Sequence, residues 1–256
     1  MELKVPVEGG EISGEDTGGD GVAVVLVHAD WTDSGIWSPL RQRLHASYRL
    51  ITYDQRGHGA SRAPVAPYTW AADLRTVLGH VGVDQAVVVA HSGAGGPATC
   101  LALAEPARVA ALVLVAPGTQ DYSWPGEDPY LVEGARLMNE GDQDGLVALG
   151  LRTWAPAGHD EQIGAQFRGA VAAWFAGGNL RGADPAAFSR LAEVTVPAVV
   201  AVGDLEYPMV AESARAMASR IPGCRTVLIP GADHLIPLRA PGRLAEIVAA
   251  AADRRR

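Results

Sequence analysis

Apolar positions in this chain fall into short uninterrupted runs, separated by longer stretches with helical spacing. Residues 22–27, 48–53, 87–89, 109–115, 196–202 and 225–229 read as strands. Most are rich in consecutive β-branched or apolar residues, the pattern of strands covered on both faces. Between them apolar residues recur at helical intervals, as at Leu74, Val77, Leu78 and Val81. Helices are expected near 36–44, over 68–81 and 97–104, near 211–221 and about 242–252. Glu8-Gly9-Gly10-Glu11 marks a hairpin turn between two short N-terminal strands. Apolar strands alternating with helices predict an α/β fold, a mostly parallel central sheet with helices on both faces.

The pattern changes between residues 119 and 190. No strand-like run occurs there, and helical segments near 130–138, 145–153 and 162–175 are separated by Gly, Asp and Pro. The expected organisation is a core formed by 1–118 and 191–256, with 119–190 as a helical insertion.

Composition narrows the class. The 256 residues are 48% hydrophobic and 20% charged, which suits one large domain with an inserted subdomain. A net charge of -8 argues against nucleic acid and against an anionic membrane surface as partners. No apolar run is long enough to span a bilayer. Residues 1–6 lack the charged-then-apolar order of a signal peptide, so a cytoplasmic location is expected. Cys100 and Cys224 form no metal or redox motif, and Cys100 is expected as a small core residue. No His, Cys, Asp or Glu cluster has metal-ligand spacing.

In parallel sheets, ligands bind beyond the carboxyl ends of the strands. His28 to Trp31, Asp54 to His58, Ser92, Asp204 to Glu206 and His234 all follow predicted strands directly. Ser92 stands between the run 87–89 and a Gly-rich helix start, the grammar of a nucleophile elbow. Its neighbours two residues away on each side must be small, and they are Ala90 and Ala94. The alternative for Ser92 is an ordinary helix N-cap. Acyl transfer also needs a base and an acid that orients it. His234, on the loop after the last strand, is the candidate base, in the chain order Ser, acid, His. Glu206 and Asp204 both follow the strand at 196–202. Glu206, further out on its loop, is preferred as the acid, with Asp121 a third candidate. No Lys-Ser/Thr ends the glycine-rich 93–96, which argues against phosphate binding.

Five segments together resemble the α/β-hydrolase superfamily: Val-Leu-Val-His28-Ala29, Asp54-Gln-Arg56-Gly57-His58-Gly59-Ala-Ser61, Ala90-His91-Ser92-Gly93-Ala94, Gly203-Asp-Leu-Glu206 and Gly231-Ala-Asp-His234. Within it the chain is similar to the small enol-lactonase, perhydrolase and carboxylesterase group. The resemblance implies that 119–190 forms a helical cap and that no metal or organic cofactor takes part. It implies a serine hydrolase cleaving a carboxylic ester or lactone through an acyl-enzyme. The competing readings are a C–C bond hydrolase, perhydrolase or lyase on the same fold, or a low-turnover ligand-binding receptor.

The resemblance also places oxyanion-hole amides at Gly93 and Asp30. Asp30 departs from relatives, which more often carry a small or apolar residue there. Its side chain turns away, is protonated or paired, or binds a cationic or hydroxyl-bearing substrate. An ionised carboxylate about 4 Å from an oxyanion would cost roughly 4 kcal/mol at an effective dielectric of about 20. The expectation is therefore that it points away. Trp31, His91, Tyr122, Trp124 and Trp154 are the candidate pocket residues, and suggest a small-molecule substrate with an apolar or aromatic group. His91 is expected to pack and hydrogen-bond there rather than act as a base. His58 and Arg56 are expected to be structural.

Overall fold

A computed structural model describes residues 1–61, 65–123, 127–176 and 180–253. The chain opens with a hairpin of β1 (Glu2–Val7) and β2 (Gly10–Asp16). Its turn uses Gly9 at φ 72°, where a side chain would strike Ala66. Then come β3 (Ala23–Val27), a 3-10 turn (Ser34–Trp37) running into α1 (Ser38–Leu44), and β4 (Arg49–Tyr53). Next are α2 (Trp70–His80), β5 (Ala86–His91), α3 (Gly95–Ala104) and β6 (Val109–Val115). Three helices follow, α4 (Pro129–Glu140), α5 (Gln143–Trp154) and α6 (Glu161–Ala176). The chain closes with β7 (Ala198–Gly203), α7 (Pro208–Arg220), β8 (Arg225–Ile229), α8 (Ile236–Arg239) and α9 (Pro241–Asp253).

The eight strands form one sheet in the order β1-β2-β4-β3-β5-β6-β7-β8. β1 and β2 pair antiparallel, as do β2 and β4, and every other pairing is parallel. The apolar runs explain the layers. Alternate side chains of one strand go to opposite faces, so a strand covered on both sides needs every position apolar. Val24 and Leu26 of β3 join Val87 and Val89 of β5 against Leu40 of α1 and Leu244 and Val248 of α9. Val25, Val27, Val88 and Ala90 face the other way, onto Leu74 and Leu78 of α2, Leu101 of α3 and Met217 of α7. Burying each such Val or Leu contributes about 1.5–3 kcal/mol.

β3 has β4 on one side and β5 on the other. The chain order reverses there, and this is where a doubly wound sheet opens a crevice beyond its carboxyl ends. The loops leaving β3 and β5 form its two lips.

Most element ends lie within two or three residues of the sequence-based expectation. The helix expected over 68–81 begins later, because the Thr69 side chain caps α2 by accepting from Ala72 N–H at 3.2 Å. α8 was not expected, since four residues are too few to display a period. Between β6 and β7, α4 to α6 do not form a separate core: Leu137, Leu149 and Phe167 share one cluster with Trp31 and Trp37. The chain then returns to the sheet domain. Leu180 O accepts from Tyr68 N–H at 3.1 Å, and Gly182 N–H donates to Tyr68 O at 2.8 Å. Among the described residues, no helix is long and apolar enough to cross a membrane.

Gly203 ends β7 against the loop that carries His234. A Cβ there would overlap the carbonyl oxygen of Ala232, a backbone atom with no flexible end to yield. Gly203→Ala is expected to cost on the order of 1–3 kcal/mol, as overpacking does. Urea denaturation would read this as a lower midpoint at unchanged slope. An unchanged midpoint would show that the loop moves aside freely.

Candidate active site

The peptide at the end of β5 turns sharply. Ser92 has φ 54°, in the left-handed region that residues with a Cβ rarely occupy. Its neighbours hold it there. Gly118 N–H donates to Ser92 O at 2.9 Å. Ala90 and Ala94 are fully buried. A Cβ on Gly95 would press on Pro117 and on the carbonyl of Gly118, so α3 starts tight against the loop after β6. That loop contains a second left-handed residue, Ala116, at φ 46°.

His234 reaches the same edge from the loop after β8. Its Nδ1 lies 3.0 Å from each carboxyl oxygen of Glu206. The Glu206 side chain is wholly buried and also accepts from Tyr207 N–H at 2.8 Å. A carboxylate at Nδ1 keeps the proton there and leaves Nε2 as an acceptor. The other two acids are engaged elsewhere. Asp204 is exposed and accepts from Gly231 N–H at 2.7 Å, closing the turn before His234. Asp121 accepts from the N–H groups of Phe188 and Ser189. Asp233, which sequence reasoning passed over, is fully buried and pairs with Arg239 at 2.9 Å, fixing the loop from below.

Three further histidines brace this edge. His91 is fully buried, and its Nε2–H donates to the carbonyl of His234 at 2.8 Å. The two rings stand 4.8 Å apart. Burial, with His234 nearby, pushes the His91 pKa well below its usual 6.5. His91 is therefore a neutral support for the backbone of His234. It does not line the cavity, which corrects its expected place among the pocket residues. His28 accepts from Gln55 N–H at Nε2 and donates from Nδ1 to Ala29 O, each at 2.8 Å. Burial above all, then the neighbouring His58, lowers its pKa to about 4. Gln55 Nε2 donates to His28 O at 2.7 Å, and His58 Nε2 donates to Asp30 O at 2.8 Å. The loop after β4 thus holds the loop after β3. Arg56 anchors it from behind through three hydrogen bonds to Asp73, the shortest 2.6 Å.

Ser92 and Gly93 open onto a cavity of about 360 Å³. One wall is aromatic: Trp31, Tyr130 of α4, Trp154 of α5 and Trp174 of α6. Trp31 stacks on Phe167 and meets Trp174 edge-on at 4.6 Å. The Trp154 ring lies 4.7 Å from His234, and its N–H donates to the Tyr130 hydroxyl at 3.2 Å. Tyr122 does not line this space; its ring packs on Phe188 at 4.7 Å. Trp124 lies outside the described residues.

The lining also includes the polar residues Asp30, Thr119, Gln120 and Arg181. Here the expectation for Asp30 is corrected. Its side chain faces the cavity rather than away, lying so close to Gly93 that a Cβ on residue 93 would overlap Asp30 Oδ2. Its other oxygen, Oδ1, pairs with Arg181 Nη1 at 2.7 Å. Sequence reasoning missed Arg181, because nothing in its immediate neighbours marks it. Among the described residues, no group of three His, Cys, Asp or Glu side chains is placed to hold a metal ion.

Residues 24–247 match a family described as the alpha/beta hydrolase family. RutD of Caulobacter vibrioides, provisionally named a carbamate hydrolase, is 34% identical over 134 residues, covering 50% of this chain and 45% of that protein. The chain spans about half the length of the curated relatives it matches. The enol-lactonase from Burkholderia xenovorans LB400 superposes with a TM-score of 0.79 at 22% identity, over 97% of this chain and 99% of that one. The esterase RhEst1 from Rhodococcus sp. ECU1013 gives 0.79 at 26% identity, over 99% and 98%.

The buried neutral histidines predict how stability depends on pH. His28 and His91 have folded pKa values below the unfolded 6.5. As pH falls below 6.5, the unfolded chain takes up protons that the folded chain refuses, so stability rises with pH in this range. Their contribution is intact above pH 6.5 and is lost as pH falls, for His28 down to about 4. Urea midpoints are expected to drop between pH 7.5 and 5.0, above the range where most carboxylates titrate. Equal midpoints would contradict neutral imidazoles at these two positions.

Proposed function

We propose, from the premise that this chain belongs to the alpha/beta hydrolase family, that it cleaves a carboxylic ester or lactone through an acyl-enzyme on Ser92. The observation that carries this reading is the close approach of the buried Glu206 carboxylate to His234 Nδ1, at the sheet edge where Ser92 is held in a left-handed turn.

In this mechanism His234 Nε2 takes the Ser92 Oγ proton as oxygen attacks the substrate carbonyl. Glu206 stabilises the imidazolium that results. The carbonyl oxygen becomes an oxyanion, held by the amides of Gly93 and Asp30. The carbonyl then re-forms, and the alcohol leaves with the proton from His234. A water molecule, activated by the same imidazole, attacks the acyl-enzyme in turn. It releases the acid and returns the proton to Ser92. Segment 119–190 acts as the cap: Tyr130, Trp154 and Trp174 come from its three helices. The aromatic wall suits a small molecule with an apolar or aromatic group. The esterase and enol-lactonase names of the structural neighbours describe hydrolysis at a carbonyl that bears an oxygen leaving group, and the carbamate hydrolase name of RutD likewise describes hydrolysis at a carbonyl.

Ser92→Ala is expected to lower hydrolysis of p-nitrophenyl esters by a thousandfold or more, as loss of a triad serine does, without unfolding the chain. A fluorophosphonate probe should label the peptide that contains Ser92, as read by mass spectrometry. Labelling at another residue, or near wild-type turnover in the variant, would overturn the assignment.

For the acid, Glu206→Gln is expected to cost far more kcat than Asp204→Asn, because an amide cannot balance the imidazolium. Steady-state kinetics on both variants decides it. The opposite ranking would transfer the role to Asp204.

A further inference from the structure

The Asp30 carboxylate sits where a negative charge does most harm. It lies against Gly93, beside the amides that would hold the oxyanion, in a cavity that aromatic residues also line. Charges a few ångströms apart in such a partly enclosed site act on one another more strongly than in bulk water. Arg181 meets this charge directly, with Nη1 2.7 Å from Asp30 Oδ1. Both residues line the cavity, and neither is fully buried: their side chains are 23% and 34% exposed for Arg181 and Asp30.

Arg181 is held firmly. Residues on either side of it hydrogen-bond to the backbone of Tyr68. The guanidinium carbon stands 3.4 Å from the centre of the Trp70 ring, and Trp70 is itself almost wholly buried at the start of α2. A second acid, Asp184, lies 3.9 Å away. It is weaker competition, because burial pushes its carboxyl pKa up and one of its oxygens accepts from Ala71 N–H. The guanidinium is therefore stacked on α2 and directed at Asp30.

We propose that Arg181 is a positioning residue for the oxyanion site: it fixes and compensates the Asp30 carboxylate, so that the amides of Gly93 and Asp30 can stabilise developing negative charge. This rests on the ester-hydrolase reading above. It has a consequence for substrate class. The pair is neutral as a unit, so the cavity takes an uncharged acyl group in preference to one that carries a carboxylate. Removing either partner unbalances the unit in a defined direction. Without Arg181, the Asp30 charge opposes the oxyanion. Without the Asp30 charge, Arg181 keeps only the more distant Asp184 at 3.9 Å, and its cation attracts anionic substrates.

The test is a double-mutant cycle of wild type, Arg181→Gln, Asp30→Asn and the double variant. Each is assayed on a neutral p-nitrophenyl ester and on one with a carboxylate on its acyl chain. Arg181→Gln is expected to lower kcat on the neutral ester by about tenfold to hundredfold, or about 1.4–2.7 kcal/mol by rate arithmetic, with a smaller change in KM. The double variant should recover most of that loss, because the offending charge is gone. A merely structural Arg181 would not be rescued in this way, since its guanidinium stacking on Trp70 stays lost in the double variant. Asp30→Asn alone keeps Arg181 and its packing, so it reads the proposal even where Arg181→Gln folds poorly. It should raise the preference for the carboxylate ester, as a ratio of kcat/KM values, by tenfold or more. Equal losses in Arg181→Gln and in the double variant, or an unchanged preference in Asp30→Asn, would overturn the proposal while leaving Ser92 chemistry intact. A wild-type enzyme that hydrolyses neither ester and takes no fluorophosphonate label on Ser92 would overturn both readings.

Discussion

A serine in the left-handed backbone region costs energy, on the order of 1–3 kcal/mol, and persists only where its surroundings leave no alternative. Ser92 at φ 54° is such a residue. β5 ahead of it is buried at every position, so the strand cannot slide to relieve the turn. Behind it, Gly95 packs on Pro117 and Gly118, so α3 cannot retreat. Gly118 N–H ties the Ser92 carbonyl to the neighbouring loop. The small residues 90, 94 and 95 are all parts of this one constraint. A bulkier chain there would release the turn and lower the serine back into an ordinary helix start.

The same edge is braced by imidazoles used as neutral connectors. A neutral histidine donates from one nitrogen and accepts at the other, so a single buried side chain can tie two backbone segments. His28 does this between Gln55 N–H and Ala29 O. His91 donates to His234 O, and His58 to Asp30 O. Burial lowers the pKa of His28 and His91, which keeps them neutral, His91 beside His234. If His91 carried charge, it would oppose the imidazolium that the proposed mechanism forms on His234. Its neutrality gives backbone support without an electrostatic cost to that step.

The fold was legible because its strands are apolar at consecutive positions, a pattern that only a sheet covered on both faces requires. β6 and β8 were readable to the residue, since Pro and Gly punctuate their ends. The residues that meet at the edge were legible from their position just after strands. Choosing between Glu206 and Asp204 was harder, because both follow β7 and only the folded loop shows which one turns inward. What stayed hidden depends on contacts between distant parts of the chain. Arg181 and Asp30 are 151 positions apart. No local period or spacing records that a guanidinium from the end of the helical segment will stack on Trp70 and reach the loop after β3. The orientation of Asp30 was misread for the same reason: the electrostatic argument was sound for an unpaired carboxylate, and the partner lay outside its reach. His91 was placed in the pocket because it adjoins Ser92 in sequence. Successive strand residues face opposite ways, and its ring is buried behind the serine.

Aromatic cover and charge compensation answer to one another in this cavity. Trp31, Trp154 and Trp174 line the cavity beside the charged pair, and charges in a partly enclosed site interact more strongly than in bulk water. On the hydrolase reading, this favours two backbone amides that hold an oxyanion, and it magnifies the harm done by an unpaired carboxylate beside them. A fully solvated Asp30 would need little compensation, because exposed charges are well screened. An Asp30 two-thirds covered and held against Gly93 gains more from a fixed partner. The segment between β6 and β7 supplies both: three of its helices bring the aromatic residues, and its returning strand-like stretch brings Arg181. On the hydrolase reading, that segment is more than a lid for exclusion of water. It brings aromatic residues that line the cavity, and in the same excursion of the chain it delivers the cation that pairs with Asp30.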